Sequence, residues 1–480
     1  MSANLKKNGH QCHIIFLKRF KNENTFNPDY DEDEYPWLGI DLKGRVICFA
    51  ASSYPTDIEM GLLHKLLSDI NPDIIGMTVN TPLRKQNAMV TKFIKQNFEI
   101  PVVWGGFDPT VNTLKCLEVA DYACIGEGDK TILEIADRLD HNRSIKDVCN
   151  LAYLQDNKIY YNPKSPLEKD IDNYPWRDNS PENKYFIEND EIDFNHSVIN
   201  DGDPGFYEVM SARGCPYQCS YCCEVSLKNI YAGEKFLRRR TPQNLIAELV
   251  KARQQLSLKE IHFEDEIFGM NLKWLTEFTR LYIEHINLPF RAYIYPSPNI
   301  EEILKTLKDA GLYMCCLALQ SGSERINKMV FNRVYNRELY LKAVKSCKKN
   351  KINFYTDIIT YNPYEKEEDL KKTLDVLLDM GGNFNLSVNK LFILPGTKLA
   401  EQIQNDGLSL TDNSRDKLFN YYSRLFWITS SELNSRLIVR IIQNIPLFKK
   451  NPNLINPWFI KAILSPSAVV RKLKKLVLHK

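Results

Sequence analysis

Two α/β bodies in series are predicted: a doubly wound domain over residues 1–150 and a partial parallel barrel over 207–400, followed by a helical region over 401–480. Three observations carry this. Short apolar runs alternate with amphipathic segments in the first 150 residues. The alternation recurs six times between 207 and 400. An irregular, polar, proline-bearing stretch, 151–206, separates the two.

In the first body, 12–17, 73–79, 102–104 and 122–125 read as buried parallel strands, and 58–70, 86–96 and 130–139 as helices. Strand–helix alternation of this kind implies a Rossmann-like, doubly wound sheet. The opening is unusual. Residues 3–10 read as the end of a helix capped by Gly9, whereas such a domain normally opens on a central strand. That first strand is expected to be missing, through a late start codon or an incomplete domain.

Residues 151–162 suggest a hairpin, and the rest of the stretch to 206 a surface connector. In the second body the strands are 207–211, 260–263, 290–294, 313–319, 354–360 and 385–391. The helices are 242–255, 272–286, 300–310, 336–349 and 366–379. Six such units suggest a partial (β/α)6 TIM-type barrel, whose chemistry belongs at the C-terminal strand ends. The basic, amphipathic end, 469–478, reads as a solvated helix packed on the barrel, with membrane-surface or partner docking as the alternative.

The 480 residues carry 63 basic and 60 acidic side chains, a net charge of +3, which gives no electrostatic case for a nucleic-acid partner. No apolar run approaches the roughly 18 residues of a membrane-spanning helix, and the polar N-terminus lacks the apolar core of a signal peptide. The 12 cysteines do not form a secreted disulfide framework, because three cluster at metal-ligand spacing in a long chain. These features place the chain in a reducing, cytoplasmic compartment.

The three are Cys215, Cys219 and Cys222, in a Cys-x-x-x-Cys-x-x-Cys loop just after the first barrel strand. Such gaps let three thiolates reach three irons of a [4Fe-4S] cluster and leave the fourth iron without a protein ligand. A structural zinc site is the alternative; it needs a fourth ligand, for which only the adjacent Cys223 offers. Cys223 itself reads as a small packed side chain.

The loop, with the aromatic Tyr221 before its last cysteine, resembles the radical S-adenosylmethionine superfamily, and the resemblance spans 207–397. It implies that the open iron binds the amino and carboxylate groups of S-adenosylmethionine, with Tyr221 beside it. Glu264 and Asp265, ending the second strand, match the segment near the amino group; an acid-rich helix start is the alternative. Gln320, Ser321 and Gly322, ending the fourth strand, match the ribose-binding segment, although relatives often carry Glu where Gln320 stands. Arg333 is a candidate partner for a carboxylate, with a surface salt bridge as the other reading. Residues 362–365 and 394–397 are similar to a branch that also carries a cobalamin-binding domain; Tyr361 stands where many members have glycine.

The first body fits that branch. Thr78, the pair Gly105 and Gly106, and the Gly-x-Gly of Gly126, Glu127 and Gly128 all lie at strand ends, where a cofactor approaches backbone closely. By resemblance they hold cobalamin. The Asp-x-His-x-x-Gly motif is absent, which argues against a histidine on cobalt. The expected function is a cobalamin-dependent radical enzyme that methylates or rearranges an unactivated carbon of a small molecule. It would draw electrons from a flavodoxin or ferredoxin. The alternatives are a cobalamin-independent tailoring enzyme and a non-catalytic corrinoid or cluster carrier. A methylthiotransferase acting on transfer RNA would want a second cysteine triad, and Cys116, Cys124 and Cys149 are scattered.

Overall fold

The computed structural model describes residues 1–17, 54–194, 205–409, 413–431 and 433–455, with short strands at Asn22–Glu23, Trp37–Ile40 and Val46–Phe49, and residue 460. The chain forms two compact units. The first comprises Met1–Pro36, Phe49–Ala292 and Ile393–Glu401; the second comprises Trp37–Cys48, Tyr293–Phe392 and Gln402–Lys480.

The first unit contains a five-stranded sheet in the order Ile75–Thr78, Val102–Gly105, Tyr122–Cys124, Leu151–Gln155, Lys158–Tyr161. The first three strands pair parallel and the last two antiparallel. Val102, Val103 and Trp104 are all buried, the unbroken apolar run of a strand covered on both faces. Helix Asp57–Ile70 starts in a capping box between Thr56 and Glu59 and buries Met60, Leu63, Leu66 and Leu67. The hairpin at 151–161 turns through Asp156 and Asn157, both at positive φ, as a tight two-residue loop demands.

One strand lies elsewhere than expected. Ile14–Leu17 does not join this sheet; it pairs parallel with Lys184–Ile187 in a separate three-stranded sheet completed by Glu191–Asp193. Phe16 stacks on Phe186 at 4.5 Å between centroids, so a partner far along the chain captures a strand that local pattern assigns to its neighbours. The opening helix, Ser2–Lys7, ends as expected: Gly9, at φ 90°, and His10 donate back to Lys6 and Leu5.

The barrel strands Phe206–Val209, Glu260–Phe263, Phe290–Tyr293, Leu312–Cys316, Asn353–Thr360 and Asn385–Lys390 follow sequence order in a six-stranded sheet. Helices Pro242–Gln255, Leu272–His285, Ile300–Asp309, Arg337–Lys349 and Glu367–Met380 alternate with them. Within the first unit, Phe263 packs against Phe278 and Tyr282 of a covering helix. The strand's period of two therefore sends His262 and Glu264 to the inner face. Within the second unit, Thr356 bonds Tyr340 of its covering helix, so Tyr355 and Asp357 face inward. The helices Asn413–Ser430, Arg436–Gln443 and Pro446–Lys450 follow; the basic segment 469–478 lies outside the described residues.

Candidate active site

In the first unit, strand Phe206–Val209 runs into the cysteine loop through Ala212 and Arg213, which pair antiparallel with Arg239 and Arg238. Gly214 then turns at φ 90°, where a Cβ would lie 2.8 Å from the Phe236 carbonyl oxygen; glycine alone passes that point without strain. The Cys222 N–H donates to the Cys219 carbonyl at 3.1 Å, and Cys222 leads into helix Cys223–Ile230. Cys222, the third candidate ligand, thus stands at a helix N-terminus, whose partial positive charge favours a thiolate.

Burial, with smaller contributions from Glu266, Cys222 and Cys219, pushes the Cys215 thiol up to about 12. Free thiolates are therefore costly here, and a bound cation would supply the compensation. Three thiols at these gaps, with no fourth ligand needed from the protein, are a donor set that fits a [4Fe-4S] cluster. Cys223 is partly buried and hydrogen-bonded to Cys222.

Asp265 is 1% exposed and accepts from the Ser211 N–H at 2.9 Å and the Ser211 hydroxyl at 2.5 Å. Its carboxylate is thereby engaged in holding the entrance to the cysteine loop. Burial pushes it up to about 6. Glu264 faces inward and pairs with Arg291 at 3.2 Å. Tyr221 is half-buried in the cysteine loop.

Sequence reasoning passed over two other carboxylates. Glu224 has a buried Oε2 without a partner among the described residues; desolvation and the nearby Glu266 raise it to about 7. Glu266 is raised by burial and Asp265, and it acts electrostatically on Cys215 and Cys222. The signal was present in Glu224, two residues past the last cysteine, but an acid at a helix start reads first as a dipole partner.

The strand ends of the five-stranded sheet divide into two groups. Thr78 is exposed, and a Cβ at Gly105 would come no closer than 3.8 Å to another atom, so this rim is open. Gly106, at φ 107°, lies against the Val79 backbone. The Thr81 hydroxyl beyond the rim is buried without a partner among the described residues. An open rim with an orphaned polar atom fits a cofactor approaching the strand ends.

Gly126, Glu127 and Gly128 are already occupied by protein. The Glu127 N–H donates to Tyr231, its carboxylate pairs with Arg213 and Arg238, and a Cβ at Gly128 would lie 3.0 Å from Met1.

In the second unit, Gln320 sits at φ 62° with a buried Oε1 that has no partner among the described residues. Ser321 and Gly322 pack on helix Glu367–Met380: the Gly322 N–H donates to the Thr373 hydroxyl at 2.9 Å, and a Cβ there would lie 2.5 Å from Thr373 Cα. Arg333 donates to the Ala318 carbonyl at 2.8 Å and stacks over Tyr295.

Residues 209–377 match the radical SAM superfamily model. That part of the chain is a radical S-adenosylmethionine domain. An uncharacterized methyltransferase of Pyrococcus horikoshii is 27% identical over 370 residues, covering 75% of each chain. The cytidylyl-2-hydroxyethylphosphonate methyltransferase of Streptomyces wedmorensis is 24% identical, covering 58% of this chain and 56% of its own.

Among solved structures, the radical S-adenosylmethionine methyltransferase TsrM of Kitasatospora setae superposes with a TM-score of 0.59 at 18% identity, over 73% of this chain and 68% of that one. The cobalamin-dependent S-adenosylmethionine radical enzyme OxsB superposes at 0.57 and 14% identity, over 77% and 60%. At these identities the likeness is one of fold, an α/β sheet followed by a partial barrel. Among its described residues no helix is long and apolar enough to cross a membrane.

Proposed function

We propose that this radical S-adenosylmethionine enzyme is a cobalamin-dependent methyltransferase, or a close relative, acting on an unactivated carbon of a small molecule. The observation that carries the reading is the pairing of a three-cysteine loop with an open rim at Thr78, Gly105 and Gly106, ahead of it in the same chain. The relatives support it. TsrM has been solved with cobalamin and a [4Fe-4S] cluster bound and OxsB with aqua-cobalamin bound, and two sequence relatives are named methyltransferases.

When bound, the cluster and the corrinoid supply one-electron cleavage of a sulfonium and a methyl carrier. The protein's part is positional. Cys215, Cys219 and Cys222 hold the irons. Asp265 pins Ser211 and so fixes the loop's entrance. Glu224, whose Oε2 is buried, offers an acceptor for the amino group of S-adenosylmethionine, and Glu266 and inward-facing Glu264 are further acceptors. Gln320 offers an amide to the ribose hydroxyls, while Ser321 and Gly322 shape the turn that presents it. Arg333 is placed for a carboxylate. Thr78, Gly105 and Gly106 hold the corrinoid, and the Gly126 loop braces the structure behind them.

The reading carries with it a cytoplasmic location and a flavodoxin or ferredoxin as electron donor. It divides the chain into a corrinoid domain to residue 150, a connector to 206, a barrel to 400 and a helical region to 480. The test is a cobalamin titration, read by visible absorption, of anaerobically prepared protein with a full cluster. Tight stoichiometric binding is expected. No binding by cluster-loaded protein would overturn the corrinoid part and leave a cobalamin-independent radical enzyme.

A further inference from the structure

The inner face of the first barrel strands carries a group of donors of which the proposed chemistry uses only Glu264. Glu208 of strand Phe206–Val209 is the cross-strand partner of His262. Glu264 lies two residues beyond His262 and so on the same face. One oxygen of each carboxylate and one imidazole nitrogen fall within 4.8 Å of one another. Arg291, the cross-strand partner of His262 on the other side, pairs with Glu264 Oε1 at 3.2 Å.

Carboxylates alone would make only an acidic surface; the histidine makes the difference. Its side chain is 5% exposed, and Nδ1 is buried with no hydrogen-bond partner among the described residues. Nε2 lies 2.7 Å from Glu260 Oε1. A carboxylate on one ring nitrogen holds the proton there and leaves the other nitrogen with a bare lone pair, the second-shell arrangement of metal-ligating histidines. Phe206 stacks on the His262 ring at 4.2 Å and fixes its plane. A buried ring with one unpartnered nitrogen, grouped with two carboxylates, is a donor set that a cation would satisfy.

We propose that Glu208, His262 and Glu264 form a divalent metal site on the inner barrel wall, with Glu260 orienting the histidine. One imidazole and two carboxylates suit a first-row ion such as Mn2+, Fe2+ or Zn2+, not a soft thiolate-seeking ion. Three protein ligands leave coordination positions open for water or an oxygen-donor group of a substrate. The site is independent of the cobalamin reading, and its test needs neither cobalamin nor turnover.

The experiment titrates MnCl2 into the full chain carrying its oxidised cluster, which is silent in electron paramagnetic resonance, and follows the signal of free Mn2+. Stoichiometric uptake is expected, with displacement by Zn2+. His262→Gln and Glu264→Gln should each weaken uptake at least ~10-fold, and Glu260→Gln by a similar factor through the histidine's orientation. Iron content and visible absorption should stay at wild-type values in each variant. If His262→Gln fails to load a cluster, Glu264→Gln decides alone. No saturable uptake by wild type, or undiminished uptake by the cluster-loaded Glu264→Gln variant, would overturn the site.

Discussion

The backbone N–H of Glu127 donates to the Tyr231 hydroxyl at 2.8 Å, and this bond gives the Gly-x-Gly segment its use. Tyr231 ends the helix that starts after the third cysteine. A Cβ on Gly126, at φ 78°, would collide with the same hydroxyl. The loop following strand Tyr122–Cys124 is thus stitched to the far end of the cluster segment. Gly126→Ala should cost about 1–3 kcal/mol from backbone strain alone, with steric displacement of Tyr231 added. Tyr231→Phe, which removes only the acceptor, should cost ~1 kcal/mol. Urea unfolding of the cluster-free chain reads both. A Gly126→Ala protein as stable as wild type would remove the joint from the fold.

Glu127 makes the second half of that joint. Its carboxylate pairs with Arg238, whose side chain is 2% exposed, and with Arg213 at 3.2 Å. Glu127→Ala leaves the buried Arg238 guanidinium without its counter-charge, a loss of about 3 kcal/mol. Glu127→Gln keeps a hydrogen-bond acceptor and should lose less. Equal unfolding midpoints for the two variants would show that charge plays no part.

Asp265 makes a pH prediction. Its folded-state pKa is raised by burial to about 6, against 3.8 for the exposed group. As pH rises from about 4 to 6, the unfolded chain ionises while the folded chain keeps the proton. Stability therefore falls through this window by up to ~3 kcal/mol and is flat above it. Asp265→Asn removes the group that titrates and should flatten this part of the profile. Thermal melts of the cluster-free chain at several pH values test it; an unchanged slope in the variant would assign the effect to another group.

These residues also show what a sequence discloses. The barrel elements fell close to their predicted bounds, because each strand–helix unit announces itself by a change of period from 2 to 3.6 within a few dozen residues. The radical S-adenosylmethionine domain at 209–377 was legible from the three cysteines, because cluster chemistry demands short, fixed spacing. Ile14–Leu17 was placed in the wrong sheet because its partner, Lys184–Ile187, is chosen by long-range packing that no local pattern records. Glu127 was visible as a residue, but its partners Arg213 and Arg238 lie 86 and 111 positions away. His262 was passed over because its cross-strand neighbour Glu208 is supplied by a pairing that no local pattern records.

Gly105 and Gly106 are adjacent glycines with different predicted behaviour. Gly106 is at φ 107° and its Cβ would lie 3.0 Å from the Val79 carbonyl, so a side chain there strains the backbone. Gly105 has ordinary φ and room for a Cβ, so Gly105→Val should fold normally. It would still place a branched side chain on the open rim. Cobalamin affinity is expected to fall at least ~10-fold, about 1.4 kcal/mol, with the melting temperature unchanged. Unaltered binding would move the corrinoid away from these strand ends.

Cys219 and Cys223 are both close to the cluster loop, and only the first is placed as a ligand. Cys219 is 8% exposed, and its carbonyl accepts the Cys222 N–H, so Cys219→Ala keeps the turn and removes a thiolate. Two cysteines cannot hold the three irons, so cluster content and deoxyadenosine release should both disappear. Cys223 is the first residue of the helix, and its thiol only bonds that of Cys222. Cys223→Ala should retain the cluster, with iron content and visible absorption at wild-type values. If instead Cys223→Ala loses its metal while Cys219→Ala keeps it, the ligand set runs through the adjacent pair. A radical enzyme of this class would then be excluded, because its open iron depends on the three-residue and two-residue gaps between Cys215, Cys219 and Cys222.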